Sequence, residues 1–251
     1  MIPTVAIGVI CKTPISGASK TRMIPWFGAD GAAALAGCFL RDMATTIEAV
    51  PHAIGRRGYA VYAPEGSEGA LRDYLPDHFG LVCRRDATLG VVLLSATEHL
   101  LAAGHDGVVL VNADSPTLPP QLLEQAITEM RRPGPRVVLG PAIDGGYYLI
   151  ALKKAHARLF EEVPWSTSEV FAATVARAAE IDLPVVQLDE WYDVDDAHTL
   201  GLLLAELRGE NLSFDVRNLA GGPAQATRAF LAKHPGIVRL LTARPSVRND
   251  T

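Results

Sequence analysis

The chain has 251 residues, 49% of them hydrophobic, and a formal net charge of −5 at pH 7. This length and apolar content suffice for a large core without disulfide bonds, and the mild negative charge argues against nucleic acid or an anionic membrane as a partner. Because the three cysteines lack metal-binding spacing and neither a signal-peptide pattern nor a run of about 18 apolar residues is found, we expect a cytoplasmic protein.

Apolar segments with two different periods alternate along the chain. Short apolar runs predict strands, and apolar residues at three- and four-residue steps predict helices. The predicted strands are 4–11, 59–63, 81–83, 108–111, 136–140, 147–152 and 184–188. The predicted helices are 30–50, 69–74, 88–103, 121–130, 167–181 and 197–207. This alternation predicts an α/β domain over residues 1–208, in which a mostly parallel sheet lies between two layers of helices.

Residues 209–251 form an extension of different character. Glycine, proline and polar residues dominate 209–226, and a helix-like apolar patch follows at 230–241. The extension could pack on the core, cover a site, or exchange onto the partner subunit of a homodimer. The sequence leaves these three arrangements open.

Polar residues that suit helix N-caps precede several of the predicted helices. Asp30 suits the first helix, and Ser166 or Thr167 suits the fifth, which has Glu169 in its first turn. Asp195 and Asp196 precede the helix at 197–207. Capping is therefore an alternative role for acidic residues that could also bind a ligand.

A basic loop follows the first strand. It contains Lys12, Lys20 and Arg22, with Gly17 between them. Cations and flexible backbone amides at the carboxyl end of a strand are typical of anion sites. The loop lacks the Gly-Lys-Ser/Thr sequence of a Walker A motif. The alternative is a solvent-exposed basic loop without a ligand.

Asp114 follows the strand at 108–111, which lies near the middle of the chain. The four apolar residues of that strand are consecutive, which predicts a strand buried on both faces. Ligands of open α/β sheets bind outside the carboxyl ends of the strands. Asp114 is therefore placed to anchor a metal ion or a phosphate group, although capping of the next helix is an equally simple role.

Two further segments combine glycine or an aromatic residue with polar groups. Asp144-Gly145-Gly146 would let the backbone approach a ligand closely, and Asp144-Gly145 is also a strong hairpin signal. Pro164-Trp165-Ser166 comes before the fifth helix. Trp165 could cover a ligand, but ordinary packing is the favoured interpretation.

A second acidic cluster ends the last strand. Asp193 and Asp195 could complete a divalent-cation site with Asp114, since Mg²⁺ binds a few carboxylates together with substrate phosphate oxygens. Such a metal and the lysines would neutralise charge on a leaving phosphate. These features favour transfer from a nucleoside di- or triphosphate. The lack of G-x-G-x-x-G and G-x-S-x-G argues against a dehydrogenase and a hydrolase.

In one order along residues 4–208, these motifs resemble a bacterial family of GT-A-fold transferases. The motifs are Lys12, Lys20-Thr21-Arg22, Asp114-Ser115-Pro116-Thr117-Leu118-Pro119, Gly140-Pro141-Ala142, Asp144-Gly145-Gly146-Tyr147-Tyr148-Leu149, Pro164-Trp165-Ser166-Thr167 and Asp193-Val194-Asp195. The family is named selenodomain-associated transferase 1, or arsenosugar-type glycosyltransferase-like, and belongs to the nucleotide-diphospho-sugar transferase superfamily. The chain departs from its relatives at Asn112, where a small or hydroxyl residue is usual.

The resemblance implies a role for each motif. Asp114 and Asp195 correspond to catalytic, metal-binding aspartates, with Asp193 beside them and Mg²⁺ or Mn²⁺ as the cofactor. The implied nucleotide-binding residues are Lys12, Gly17, Lys20, Arg22 and Asp114. The implied substrate-binding residues are Asp144, Gly145, Gly146, Trp165 and Ser166.

Two activities fit this site. A glycosyltransferase would move a sugar from a nucleotide-sugar donor to a small-molecule acceptor, and the Gly-Gly-Tyr-Tyr and Pro-Trp motifs favour it. A guanylyltransferase-like nucleotidyltransferase would act on a phosphorylated small acid and release pyrophosphate, which the first-strand loop also resembles. A regulatory nucleotide-binding module is a third interpretation, against which Asp114 and Asp195 argue.

Overall fold

The computed structural model describes residues 4–85, 88–210, 212, 214 and 219–242. The strands within these ranges are β1 (Val5–Lys12), β2 (Arg56–Ala63), β3 (Gly80–Cys83), β4 (Gly107–Asn112), β5 (Val137–Pro141), β6 (Tyr147–Leu152) and β7 (Val185–Gln187). The helices are α1 (Ile24–Ala49), α2 (Glu68–Arg72), α3 (Leu89–Ala102), α4 (Pro120–Arg131), α5 (Val170–Glu180), α6 (Ala197–Leu207), α7 (Gln225–Ala232) and α8 (Pro235–Thr242).

The strands form one sheet in the order β3-β2-β1-β4-β6-β5-β7. All neighbouring pairs are parallel except those of β6, which runs antiparallel to both β4 and β5. The register pairs Lys12 with Ala63 and Ile10 with Asn112, so the carboxyl ends of β1, β2 and β4 meet at one edge. The predicted mostly parallel α/β fold is confirmed.

Alternate strand residues enter two cores, one on each face of the sheet. Val109 and Val111 of β4 pack with apolar residues of α1, α4 and α6, whereas Val108 and Leu110 pack with α3 and α5. This two-residue alternation follows from the pleat of the strand. It explains why the central strands are apolar at every position, as strands covered on both faces must be.

Helix α1 begins at Ile24, which corrects the predicted start at Asp30. Pro25 lies in its first turn, where a proline costs no hydrogen bond, and Gly28 breaks the helical geometry with a φ of 71°. Asp30 therefore lies inside the helix, after the break. By length and composition α1 could cross a membrane, yet its apolar residues, Leu35 and Phe39 among them, pack into the core of the protein.

Helix α7 of the C-terminal extension packs against α1, and helix α8 packs against α6. The ring of Phe230 lies 5.3 Å from that of Phe27. The buried carboxylate of Asp42, in α1, accepts hydrogen bonds of 2.9 Å from the backbone amides of Ala226 and Thr227, in the first turn of α7. Asp42 thus satisfies amides that a helix leaves unpaired at its start. The helix-like patch predicted at 230–241 spans parts of two helices.

We expect Asp42→Ala to lower the free energy of unfolding by about 0.5–2 kcal/mol, the usual cost of losing an N-terminal cap. Urea unfolding followed by circular dichroism measures this loss. Asp30→Ala, an exposed aspartate on the same helix, is the control and should change stability by no more than about 0.5 kcal/mol. Equal losses in the two variants would contradict a capping role for Asp42.

Candidate active site

A cavity of about 730 Å³ opens at the edge where the parallel strands end. It is lined by most of the residues that the sequence motifs singled out, namely Lys12, Lys20, Arg22, Asp114, Asp144, Gly146, Trp165, Ser166, Asp193 and Asp195. Gly17 and Gly145 do not line it. Residues from five separate predicted motifs therefore share one concave site.

Lys20 forms the electrostatic centre of this cavity. Its Nζ donates to Asp114 Oδ1 at 2.7 Å, to Asp195 Oδ1 at 2.8 Å and to the Val194 carbonyl oxygen at 2.7 Å. Burial disfavours the ammonium charge, but the two carboxylates outweigh that cost and raise the pKa of Lys20. The lysine side chain is only 7% exposed, so it is not part of a solvated basic loop. Lys12 and Arg22 are exposed.

The turn that carries Asp114 is held by Asn112. The side-chain oxygen of Asn112 accepts from the Asp114 amide at 3.2 Å and from the Ser115 hydroxyl at 2.9 Å. The Asp114 carbonyl accepts from the Val194 amide at 2.8 Å, which joins this turn to the second acidic segment. Helix α4 has Pro119 at its N-cap and no side-chain cap, so the alternative role of Asp114 as a cap is wrong.

Asp195 and Asp196 have different roles. Asp196 is the N-cap of α6, and its carboxylate accepts from the Thr199 amide at 2.9 Å while the Thr199 hydroxyl accepts from the Asp196 amide at 3.1 Å. This reciprocal pair is a capping box. Because Asp196 caps the helix, the carboxylate of Asp195 is left to pair with Lys20 and to face the cavity.

Asp193 lies among the other carboxylates. Its burial, together with the charges of Asp195, Asp144 and Asp114, raises the pKa of Asp193 to about 7. Four carboxylates thus line the cavity, and Lys20 directly neutralises two of them. Hard oxygen donors suit Mg²⁺ or Mn²⁺. Among the described residues no three His, Cys, Asp or Glu side chains are grouped as metal ligands, so the predicted set of three stays a prediction.

The Asp144-Gly145-Gly146 segment is the hairpin turn between β5 and β6. Gly145 has a φ of 88°, and a Cβ placed on it would overlap the backbone of Ser168, whose Cα would lie 2.6 Å away. Gly145 therefore allows a close approach between two segments of the protein, whereas Gly146 lines the cavity, and its predicted contact with a ligand stays a prediction. The Asp144 carboxylate accepts from the Gly146 amide at 2.8 Å and lines the cavity.

Trp165 both packs and faces the cavity. Its ring lies 6.4 Å from that of Tyr147 and against Gly90, where a Cβ would come within 2.7 Å of the indole. The indole and Tyr147 form an aromatic wall of the cavity. Ser166 has a φ of 67° and does not cap a helix. Helix α5 starts at Val170 with Glu169 at its N-cap, which corrects the predicted cap at Ser166 or Thr167.

Arg84 lines the same cavity, but the sequence motifs did not identify it as a site residue. It follows β3 directly, and its amide donates to the Tyr62 carbonyl at 2.8 Å. Its Nε is buried, and no described residue accepts a hydrogen bond from it. The signal that could have found Arg84 is its position at the end of a strand, but the predicted strand at 81–83 was short and weak.

A mostly parallel sheet with cations, carboxylates and aromatic residues around one cavity at its carboxyl edge is typical of nucleotide-using α/β enzymes. The profile of a family described as "Uncharacterized protein conserved in bacteria (DUF2064)" matches residues 46–167. No curated protein sequence matches the chain significantly.

Two solved structures share the fold. A protein from Desulfovibrio desulfuricans G20, described as a candidate nucleotide-diphospho-sugar transferase, is 27% identical, with a TM-score of 0.79 over 94% of this chain and 97% of that chain. CMP:2-keto-3-deoxy-manno-octonic acid synthetase complexed with CTP is 13% identical, with a TM-score of 0.52 over 78% of this chain and 95% of that chain. These findings confirm the resemblance to nucleotide-diphospho-sugar transferases. They also confirm the prediction that the protein is a transferase.

We expect Gly145→Ala to destabilise the protein by about 1–3 kcal/mol, because a methyl group there would force the hairpin away from Ser168. Urea unfolding measures the loss. Gly104→Ala is the matched control, since Gly104 has a φ of 95° but no neighbouring segment lies within 4 Å of the place that a new methyl group would occupy. A loss no larger than that of the control would show that only the positive φ of Gly145 matters.

We expect Arg84→Met to weaken the binding of UDP, GDP, CDP or ADP in the presence of Mg²⁺ by about tenfold or more, the effect of losing one hydrogen bond from a charged group. Isothermal titration calorimetry measures the dissociation constants. Arg85→Met, at an exposed arginine that pairs with Glu65, should leave them unchanged. Unaltered binding in Arg84→Met would remove Arg84 from the ligand site.

Proposed function

We propose that the protein is a divalent-metal-dependent glycosyltransferase that moves a sugar from a nucleoside diphosphate sugar to a small acceptor. The observation that carries this proposal is that charged and aromatic side chains line one cavity. The cations of the loop after β1 and the carboxylates of Asp114 and Asp195 line it together with Tyr147 and Trp165. A donor that joins a charged diphosphate to an uncharged sugar suits both kinds of side chain.

The charged side chains of the cavity suit a diphosphate held with a metal ion. Lys12 and Arg22 are exposed cations at the cavity, and Lys20 lies between the two aspartates. Asp114 and Asp195, with Asp193 beside them, would hold Mg²⁺ or Mn²⁺, which would neutralise charge on the departing diphosphate. The oxygen donors of the cavity support this choice of metal.

The aromatic and neighbouring polar side chains of the cavity suit a sugar. The aromatic wall of Tyr147 and Trp165 offers an apolar surface, and the Asp144 carboxylate and Ser166 offer hydrogen bonds to hydroxyl groups. In the reaction an acceptor oxygen forms a bond to the anomeric carbon of the donor sugar. The bond from that carbon to the diphosphate oxygen breaks, and its electron pair leaves with the nucleoside diphosphate.

Nucleotidyl transfer is the second candidate, and the basic β1 loop favours it. Lys12, Lys20 and Arg22 together carry enough positive charge to bind a triphosphate. In that reaction a phosphate oxygen of the acceptor attacks the α-phosphorus of the nucleotide, and pyrophosphate leaves. The two reactions use the same charged side chains of the cavity but release different products.

The deciding assay supplies Mn²⁺ or Mg²⁺ with a panel of nucleotide sugars in one arm and nucleoside triphosphates in the other. Thermal shift reports binding, and chromatography identifies the product. Release of a nucleoside diphosphate from a nucleotide sugar supports glycosyl transfer. Stabilisation by a triphosphate, with pyrophosphate released once a phosphorylated small acid is added, would replace it by nucleotidyl transfer.

We expect Asp114→Asn to abolish the metal-dependent part of the thermal shift that a nucleotide produces, because a metal ligand is lost. The same variant should reduce turnover by at least a hundredfold. Asp77→Asn, at an exposed aspartate outside the cavity, should behave like the unaltered protein. Full metal-dependent stabilisation in Asp114→Asn would exclude Asp114 as a metal ligand.

A further inference from the structure

The proposed function assigns Asp114 and Asp195 to the metal, and the Lys20 ammonium lies between these two carboxylates. We propose that Lys20 is a built-in counter-ion which competes with the divalent cation for Asp114 and Asp195, so that the metal binds tightly only together with a nucleotide. Because the two aspartates are taken as metal ligands, this inference rests on the proposed function.

The contacts of the ammonium group are complete. An ammonium has three hydrogens to donate, and Lys20 Nζ has three acceptors within 2.8 Å, namely Asp114 Oδ1, Asp195 Oδ1 and the Val194 carbonyl. Its fourth neighbour is the ring of Phe39, whose centroid lies 5.4 Å away. The ammonium is thus fitted to the site, and is not a mobile surface charge.

The exposed fractions of the three side chains show how deeply each one lies in the protein. Lys20 is 7% exposed, whereas the side chains of Asp114 and Asp195 are 40% and 47% exposed. The lysine therefore lies on the protein side of the carboxylates, and their free oxygens are open to the cavity. A cation arriving from the cavity would meet carboxylates whose charge is already shared with an ammonium a few ångströms away, and like charges at that distance repel.

The backbone of Lys20 is held in a conformation that its residue type disfavours. Its φ of 45° and ψ of 48° are left-handed, a conformation that is sterically unfavourable for residues other than glycine. The Lys20 carbonyl accepts from the Met23 amide at 2.7 Å, and the buried Ser19 hydroxyl accepts from the Ile15 amide at 2.9 Å. These hydrogen bonds of the loop thus hold Lys20 in its unfavourable backbone conformation.

A nucleotide would relieve this competition. Phosphate oxygens give the ammonium new acceptors and at the same time complete the ligands of the metal. The metal alone has to share the aspartates with Lys20, whereas the metal with a diphosphate does not. The expected consequence is strong coupling between metal and nucleotide, with each raising the affinity for the other by the same factor.

The test is Mn²⁺ binding, measured by electron paramagnetic resonance without and with UDP and GDP. We expect the nucleotide-free Lys20→Met variant to bind Mn²⁺ at least tenfold more tightly than the unaltered protein. We expect its coupling to the nucleotide to fall in the same proportion. Lys154→Met removes an equal charge from an exposed position outside the cavity, and should change Mn²⁺ affinity less than threefold.

A second measurement uses the unaltered protein and covers the case in which Lys20→Met does not fold. Acetic anhydride labelling, quantified by mass spectrometry, reports the accessibility of each lysine. Mn²⁺ with a nucleoside diphosphate should change the labelling of Lys20 at least threefold, while Lys153, which lies outside the cavity, should stay constant.

The outcomes separate this inference from the proposed function. Tight nucleotide-free Mn²⁺ binding that Asp114→Asn abolishes and Lys20→Met leaves unchanged would overturn the competition but retain the metal site. Labelling of Lys20 that does not change when metal and nucleotide are added would also overturn the proposed competition. Mn²⁺ binding that is absent with and without nucleotide would overturn both proposals together.

Discussion

The ion pairs of Lys20 hold together three segments that lie far apart in the sequence. The ammonium joins the β1 loop to Asp114, after β4, and to Asp195, before α6. The backbone bond from the Val194 amide to the Asp114 carbonyl fixes the same junction without charge. Without the lysine, four carboxylates would face one another across a single cavity. Burial, together with repulsion from the other three carboxylates, already raises the pKa of Asp193, and the Lys20 ammonium offsets part of that repulsion.

A second layer of contacts supports that junction from behind. The Thr117 hydroxyl donates to the Tyr192 hydroxyl at 3.2 Å, and Tyr192 donates to Glu206 in α6. The Thr117 carbonyl also accepts from the Gly222 amide, in the extension. Thr117 and Tyr192 flank the two acidic segments in sequence. The extension therefore braces the turns that carry Asp114 and Asp193, and its capping by Asp42 links that brace to α1.

The sequence predicted best what depends on local physics. Helix α6 has the predicted bounds because Asp196 and Thr199 form a capping box, a signal confined to one turn. The start of α1 was wrong because Gly28 interrupts its pattern, and the helix continues on both sides of the break. Most of the cavity residues were predicted, since the ends of parallel strands must meet. Arg84 and the partners of Lys20 were not, because those contacts join distant segments through side-chain geometry that no local pattern encodes.

The direction of β6 explains how charged and aromatic residues reach one cavity. Parallel strands bring their carboxyl ends to the site, and β1 and β4 supply charged residues in this way. Strand β5 ends at the same edge, and β6 starts there and runs the other way, so the turn at Asp144 and the first residue of β6, Tyr147, also lie at this edge. Trp165 then packs on Tyr147 from a separate segment. Because the charged and the aromatic residues come from different elements, the fold determines where a ligand binds more strongly than which ligand it is.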